Sequence, residues 1–244
     1  MASFRGIFPG AFTMGNMVCG FLSILSSHNQ EPATAAWLII LAGFLDGLDG
    51  KVARISRSTS KFGKELDSLA DVVSFGAAPA FLIYTTTLAD FGKWGFMVGA
   101  VFLMCGAFRL ARYNVLADAH RKSNFVGLPI PIAAITISSY VILCMRYFNA
   151  VLYEEFVVGM VIIVSALMVS TVVYDSLPER FDSRENRWRL LILFVFCVAV
   201  LIKPRMAIFP FMALYVLSGL IREAFRVMNN TRRTRKDRSH AARE

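Results

Sequence analysis

Four aspartates sit in two short strings, LAGFLDGLDGKVAR and GKELDSLADVVSFG, each joining an apolar run to a polar stretch. Asp46 and Asp49 are three apart and Asp67 and Asp71 four apart, spacings that put both members of a pair on one face of a helix. The connection from about Ile55 to Phe62 is short, which makes the two helices antiparallel neighbours and predicts that all four carboxylates converge near one membrane surface. An ionisable group in a membrane segment is costly unless it is paired, wet or metal-bound, so each aspartate is a functional candidate. Carboxylates that close repel one another unless cations fill the space between them. Oxygen ligands with no Cys or His among them point to Mg2+, Mn2+ or Ca2+ rather than zinc. Two such ions about 3.5–4 Å apart would clamp a phosphoryl group during an in-line displacement, which suits a diphosphate substrate. Gly50, Ala53 and Gly63 fall on the carboxylate faces, where small residues either admit substrate or let helices pack closely.

The elements that must carry these residues are membrane helices. Of 244 residues, 56% are hydrophobic, above the roughly 45–50% of soluble domains. They come in runs near the roughly 20 residues that cross a ~30 Å hydrocarbon core. The runs predict helices over Ala11–Ser27, Ala33–Arg54, Gly63–Thr87, Lys93–Val115, Leu128–Tyr147, Glu155–Tyr174, Leu190–Ile202 and Met206–Val227. The fold class is therefore all-α integral membrane, with about eight transmembrane helices. Residues 1–228 form a single transmembrane catalytic domain, and 229–244 a basic tail expected to be disordered. The N-terminal MASFRGIFPG is expected to lead into the first membrane helix without being cleaved.

The net charge of +9 needs no nucleic acid. With eight crossings, all but Lys93, Arg146, Lys203 and Arg205 of the 26 Lys and Arg fall on one side. By the positive-inside rule that side, with both termini and the aspartates, is cytoplasmic. Cys19, Cys105, Cys144 and Cys197 lie singly in apolar segments and are expected to be core residues. His28, His120 and His240 fall in predicted loops or the tail and are assigned no chemistry.

Read as one string, Asp46-x-x-Asp49-Gly50-x-x-Ala53-Arg54, eight residues, then Gly63-x-x-x-Asp67-x-x-x-Asp71 resembles the signature of CDP-alcohol phosphotransferases at every defined position. FGKELDSLADVVSFGAAPA, Asn16 to Phe21, RLARYNV and FVGLPIPIAA resemble the membrane-embedded phosphatidylserine synthases of that family. The resemblance implies a six-helix core followed by two C-terminal helices, a homodimer, and two divalent metal ions. It makes Asp46, Asp49, Asp67 and Asp71 metal ligands and Asp71 also the general base. Gly50, Arg54 and Ser60 match positions that contact the CDP part of the donor, and Pro9 to Asn16 resembles the nucleotide-facing start of helix one, giving Thr13 and Asn16. There Gly10 replaces the usual Asn after the proline. The implied reaction moves the phosphatidyl group of CDP-diacylglycerol to L-serine with release of CMP.

Arg109 and Arg112, three apart near the end of helix four, could meet the serine carboxylate or a lipid phosphate, or could serve topology or bond another group. Asn114 and Ser74 are similar polar residues that could equally satisfy helix backbone, and Asp175 and Glu179 read as solvated loop charge. Alternatives are another acceptor, such as glycerol phosphate or inositol phosphate, and an archaeal ether-lipid donor. A non-enzymatic ion transporter would place aspartates across the bilayer, whereas these cluster at one surface.

Overall fold

The computed structural model describes residues 7–56, 61–118, 127–172, 198–200 and 202–241, with side chains for 10–52, 61–116, 127–172, 198–200 and 202–223. Among them every regular element is helical. The helices are α1 (Ile7–His28), α2 (Pro32–Ser56), α3 (Lys61–Thr86), α4 (Lys93–Asp118), α5 (Ile130–Phe148), α6 (Glu154–Val169) and α7 (Pro204–Ala241). All but α6 contain a stretch long and apolar enough to cross a membrane, six in total, which makes this a multi-pass membrane protein. Of the predicted seventh run, Leu190–Ile202, most lies outside the described residues.

Short connections reverse the chain between α1 and α2, between α3 and α4, and between α5 and α6. Helix α1 packs along α2 and crosses α3, while α5 lies against α2, α6 against α4, and α7 against α5. The bundle centre belongs to α5 and α3. In their most apolar windows 61% and 50% of residues are buried, against 17% for α7. Phe75, Phe102, Ile39, Leu82, Ile137 and Met168 fill the middle. Thr136 and Ser139 of α5 are also buried, and each returns its hydroxyl to a carbonyl of its own helix, at 2.7 and 2.9 Å. Polar side chains are thereby satisfied without water.

Helix α3 is not α-helical throughout. Between Val72 and Ala77 it widens to a π-helix, and the Ala78 N–H bonds the carbonyl of Val73. Pro79 is the local cause: it has no N–H for the carbonyl of Phe75, four residues back, and its ring crowds that carbonyl. The widened turn presses on α1. A Cβ on Gly20 would lie 2.6 Å from Ser74 Cα and 2.5 Å from its Oγ, so only glycine lets the two backbones approach. Ser74 Oγ fills the contact by donating to the Asn16 carbonyl at 2.8 Å.

Two boundaries differ most from the sequence expectation. Helix α6 stops at Val169, not near Tyr174, because Ser170 turns extended and its hydroxyl bonds the Leu167 carbonyl at 2.8 Å. Helix α7 continues to Ala241, so the basic segment expected to be disordered has a helical backbone. After Gly219 no Gly or Pro interrupts it, and Arg, Lys and Ala favour the helix. Cys19 and Cys144 are buried free thiols and Cys105 is a half-buried one, as core packing required. Cys197 lies outside the described residues.

Gly20→Ala should therefore destabilise the protein by about 1–3 kcal/mol, the usual result of overpacking. Gly159→Ala, at a position where a Cβ would meet nothing within 4 Å, should be neutral or slightly stabilising. Thermal unfolding in detergent checks the pair, and equal shifts would remove the α1–α3 contact from its special place.

Candidate active site

Asp46 and Asp49 come from the second half of α2, and Asp67 and Asp71 from the first turns of α3, immediately before the π-helical segment. Carboxylate oxygens of Asp46, Asp67 and Asp71 lie within 4.8 Å of one another. Asp49 stands beside this trio, within electrostatic reach of Asp46 and Asp67. It is buried and held by α1: Thr13 Oγ1 donates to its Oδ2, while its Oδ1 has no hydrogen-bond partner. The four carboxylates converge as the sequence predicted, three of them as a close group and the fourth turned towards α1. Three residues along a helix is 60° short of a full turn, which is why Asp49 faces α1 while Asp46 faces α3.

Helix α1 supplies a second contact of the same kind. Asn16, fully buried, donates from Nδ2 to Asp71 Oδ1 at 3.2 Å. An ionised carboxylate only accepts, so the amide nitrogen must face Asp71, and Asn16 Oδ1 is left buried without a donor. Thr13 and Asn16, read from sequence as donor contacts, thus sit against the aspartates and orient them.

The donor set tests for metal directly. Among the described residues no Lys, Arg or His forms an ion pair with Asp46, Asp67 or Asp71. Three carboxylates gathered without a counter-ion in an apolar helix pair, with a fourth offering an unpartnered oxygen, fit one or more hard divalent cations.

Gly50 borders the group on an open side, and a Cβ placed there would meet nothing within 4 Å. Nearby small residues are less fully described. Gly63 is half-buried in the first turn of α3, only the α2 backbone is described at Ala53 and Arg54, and Ser60 lies outside the described residues. Asp175 and Glu179 lie outside them as well.

The two arginines of α4 have different surroundings. Arg112 donates to the carbonyls of Val169 at 2.9 Å, Ser170 at 3.3 Å and Met168 at 3.4 Å, capping the C-terminus of α6. Leu128 N–H completes the cap on the Leu167 carbonyl at 3.0 Å, and Gly127, at φ +84°, permits that turn. A Cβ on Gly127 would come within 2.5 Å of the Met168 carbonyl. Arg112 therefore braces the α4–α6 junction, one of the two roles its sequence position allowed: cations satisfy the unpaired carbonyls at a helix end. Arg109 is only 6% exposed, its Nε has no partner, and it lies within electrostatic reach of Asp71 and of Tyr215 on α7. Asn114 Nδ2 donates to Ser68 Oγ at 2.9 Å, tying α4 to α3 beside the site. No sequence signal separates the two arginines, since both lie in RLARYNV.

A sequence model described as CDP-alcohol phosphatidyltransferase matches residues 6–172, which include the whole carboxylate group and its α1 and α4 neighbours. The chain belongs to the CDP-alcohol phosphatidyltransferase family. Within the family it is 37% identical over 223 residues to a Helicobacter pylori (strain J99) CDP-diacylglycerol–serine O-phosphatidyltransferase, covering 90% of this chain and 92% of that protein. It is 32% identical to the Methanocaldococcus jannaschii protein of the same name over 86% of this chain and 90% of the relative. An archaetidylserine synthase of Methanothermobacter thermautotrophicus is 42% identical over 168 residues, 68% of either chain.

Gly50→Leu places bulk on the open side of a phosphatidyltransferase cleft without touching the fold. It should leave the unfolding temperature near that of the unmodified protein and abolish binding of a CDP-linked lipid, measured by titration in detergent. Unchanged affinity would make Gly50 a packing residue.

Proposed function

We propose that the chain is a CDP-diacylglycerol–serine O-phosphatidyltransferase, moving the phosphatidyl group of CDP-diacylglycerol to L-serine and releasing CMP. The observation that carries the chemistry is the group of Asp46, Asp67 and Asp71 beside Asp49, with no ion pair from the three to a protein cation among the described residues. Serine as acceptor is supported by the names of relatives that share about nine-tenths of their length with this chain.

Asp46, Asp49, Asp67 and Asp71 would hold two divalent ions, Mg2+ or Mn2+ with Ca2+ as an alternative. Bound there, the ions would neutralise the donor diphosphate and stabilise charge in an in-line displacement. Asp71 accepts the proton of the serine hydroxyl as that oxygen bonds to the lipid-side phosphorus. The bond from this phosphorus to the bridging oxygen breaks, and CMP leaves with the electron pair. Asn16 keeps one oxygen of Asp71 occupied and so orients the other. Gly50, Arg54 and Ser60, with Ala53 and Gly63 as small wall residues, receive the CDP moiety; the guanidinium of Arg54 has a fork of donors suited to its diphosphate.

The buried Arg109 and the unpartnered Asn16 Oδ1 lie around Asp71 with opposite hydrogen-bonding character. Together they suit an amino acid whose hydroxyl meets Asp71: carboxylate towards Arg109, ammonium towards Asn16. The archaetidylserine synthase relative supports a second reading for the donor alone, with an ether lipid in place of diacylglycerol. The aspartate end of the bundle and both termini are assigned to the cytoplasm by the distribution of Lys and Arg. The family resemblance supports a homodimer, with residues 1–228 as one catalytic domain.

Purified protein given CDP-diacylglycerol and Mg2+ or Mn2+ should release CMP when serine is added, and EDTA should stop it. Release with glycerol phosphate or inositol phosphate, and none with serine, would overturn the acceptor. A preference for CDP-archaeol would move the donor to the ether class. Asp71→Asn should lower turnover by about 10²–10⁴-fold, the range for a lost general base, while largely keeping donor binding; an equal loss of binding would deny Asp71 that role. Arg109→Gln should raise the serine KM by about tenfold or more, as expected for lost charge-assisted hydrogen bonds. Arg112→Gln should mainly lower the unfolding temperature. A serine KM unmoved by Arg109→Gln would remove Arg109 from the acceptor site.

A further inference from the structure

Far from the aspartates the bundle has a second polar feature. Helices α2 to α5 alternate in direction, which puts the C-terminus of α5 at the membrane face opposite the carboxylate group, and the N-terminus of α7 meets it there. There Arg146, Tyr147, Ile202, Lys203, Pro204, Arg205 and Met206 line a cavity of about 300 Å³, the lower end of the range for small-ligand sites. Three of the four cations that the sequence puts on this face thus meet in one cavity. The fourth, Lys93, lies elsewhere, with its ammonium 5.6 Å from the ring centre of Trp94.

Positive charge is disfavoured on this side of a membrane protein, so its concentration in one cavity needs a cause. Lone cations at helix ends would each reach separately into the headgroup layer. Here they come from α5 and from the α7 entry, two segments distant in sequence, and among the described residues none of the three has an ion-pair partner. The helices that frame the cavity are also tied together. The Tyr140 ring of α5 packs at a tilt against Phe156 of α6 and Phe209 of α7, with centroids 5.3 and 5.1 Å away, and its hydroxyl donates to the Leu152 carbonyl at 2.8 Å. Tyr147 and Ile202 at its rim, and Phe148 next in sequence, are exposed apolar side chains at the helix ends. Two guanidinium groups and an ammonium above such a rim match a phosphate that bears apolar substituents.

We propose that this cavity binds the phosphate of an anionic ligand at the membrane surface opposite the catalytic cleft, in a site separate from the donor and acceptor sites. Its chemistry is shared by the phosphodiester of an anionic lipid headgroup and by free phosphate, and the apolar rim favours the lipid. The site is independent of the transferase reading, because none of its residues belongs to the carboxylate cleft.

The test is site-specific. Full-length protein is reconstituted in phosphatidylcholine alone, with phosphatidylglycerol added, or with inorganic phosphate added. The rate at which an uncharged amine reagent modifies Lys203 is then read by peptide mass spectrometry, with Lys93 as the internal reference. Phosphatidylglycerol should slow Lys203 about tenfold relative to Lys93, and an Arg146→Gln, Arg205→Gln double variant should lose that protection. Protection by inorganic phosphate in phosphatidylcholine would confirm the site and make a soluble anion its ligand. Equal behaviour of Lys203 and Lys93 under every condition, or full protection in a double variant that still unfolds cooperatively at the usual temperature, would overturn the proposal. CMP release from the same vesicles, measured in parallel, reports the transferase reading separately.

Discussion

The structure depends on the mutual repulsion of carboxylates crowded within an apolar helix pair. Three oxygens within 4.8 Å of one another require compensating positive charge, and the nearest buried arginine is not close enough to pair with them. The carboxylates are placed at one end of the bundle, where ions and a nucleotide can arrive from water. Helix α1 supplies neutral donors, Thr13 and Asn16, that fix two carboxylates in orientation without cancelling their charge. Had lysines occupied those positions, the aspartates would be satisfied by the protein and would have little affinity left for a metal. The neutral character of α1 in this region is therefore as much a part of the site as the acidity of α2 and α3.

Most of this arrangement was legible in the sequence because it rests on spacing. Aspartates three and four apart share a helix face, and the short connection between their helices forces the pairs together. Membrane spans were readable because backbone in hydrocarbon has to bond internally, which leaves a run of apolar residues few alternatives to a helix. What spacing could not reveal was competition between neighbours. Arg109 and Arg112 are adjacent turns of one helix, yet one is occupied by the end of α6 and the other is buried beside Asp71. That division depends on where α6 terminates, and Ser170 ends it before the apolar run does. The C-terminal basic segment was misread for a related reason: charge density argued for disorder, while helix propensity and continuity with a long membrane helix carried the backbone on to Ala241.

The two ends of the molecule also differ in how they treat charge. At the carboxylate end, negative groups are gathered and left uncompensated by protein; at the other, positive groups are gathered around a cavity. Both ends are braced by aromatic or small-residue packing in the intervening layer, where Phe75, Phe102 and Ile137 are fully buried. Rigidity in the middle is what lets each end keep like charges close, because side chains on a yielding scaffold would relax apart.

The π-helical segment of α3 carries an implication for how such a site can change over evolutionary time. Relative to an α-helix, each π turn takes up an extra residue, so the helix beyond it is shifted in phase by about 100°. The half of α3 that bears Asp67 and Asp71 and the half that packs with Leu82 and Ile83 in the core are therefore indexed separately. Losing one residue from Val72–Ala77 would let this turn close to an ordinary α-helical one, with the acidic half and the lower half both keeping their seats. The segment acts as a vernier between chemistry and packing, allowing sequence drift in one half of the helix without resetting the angular position of the other.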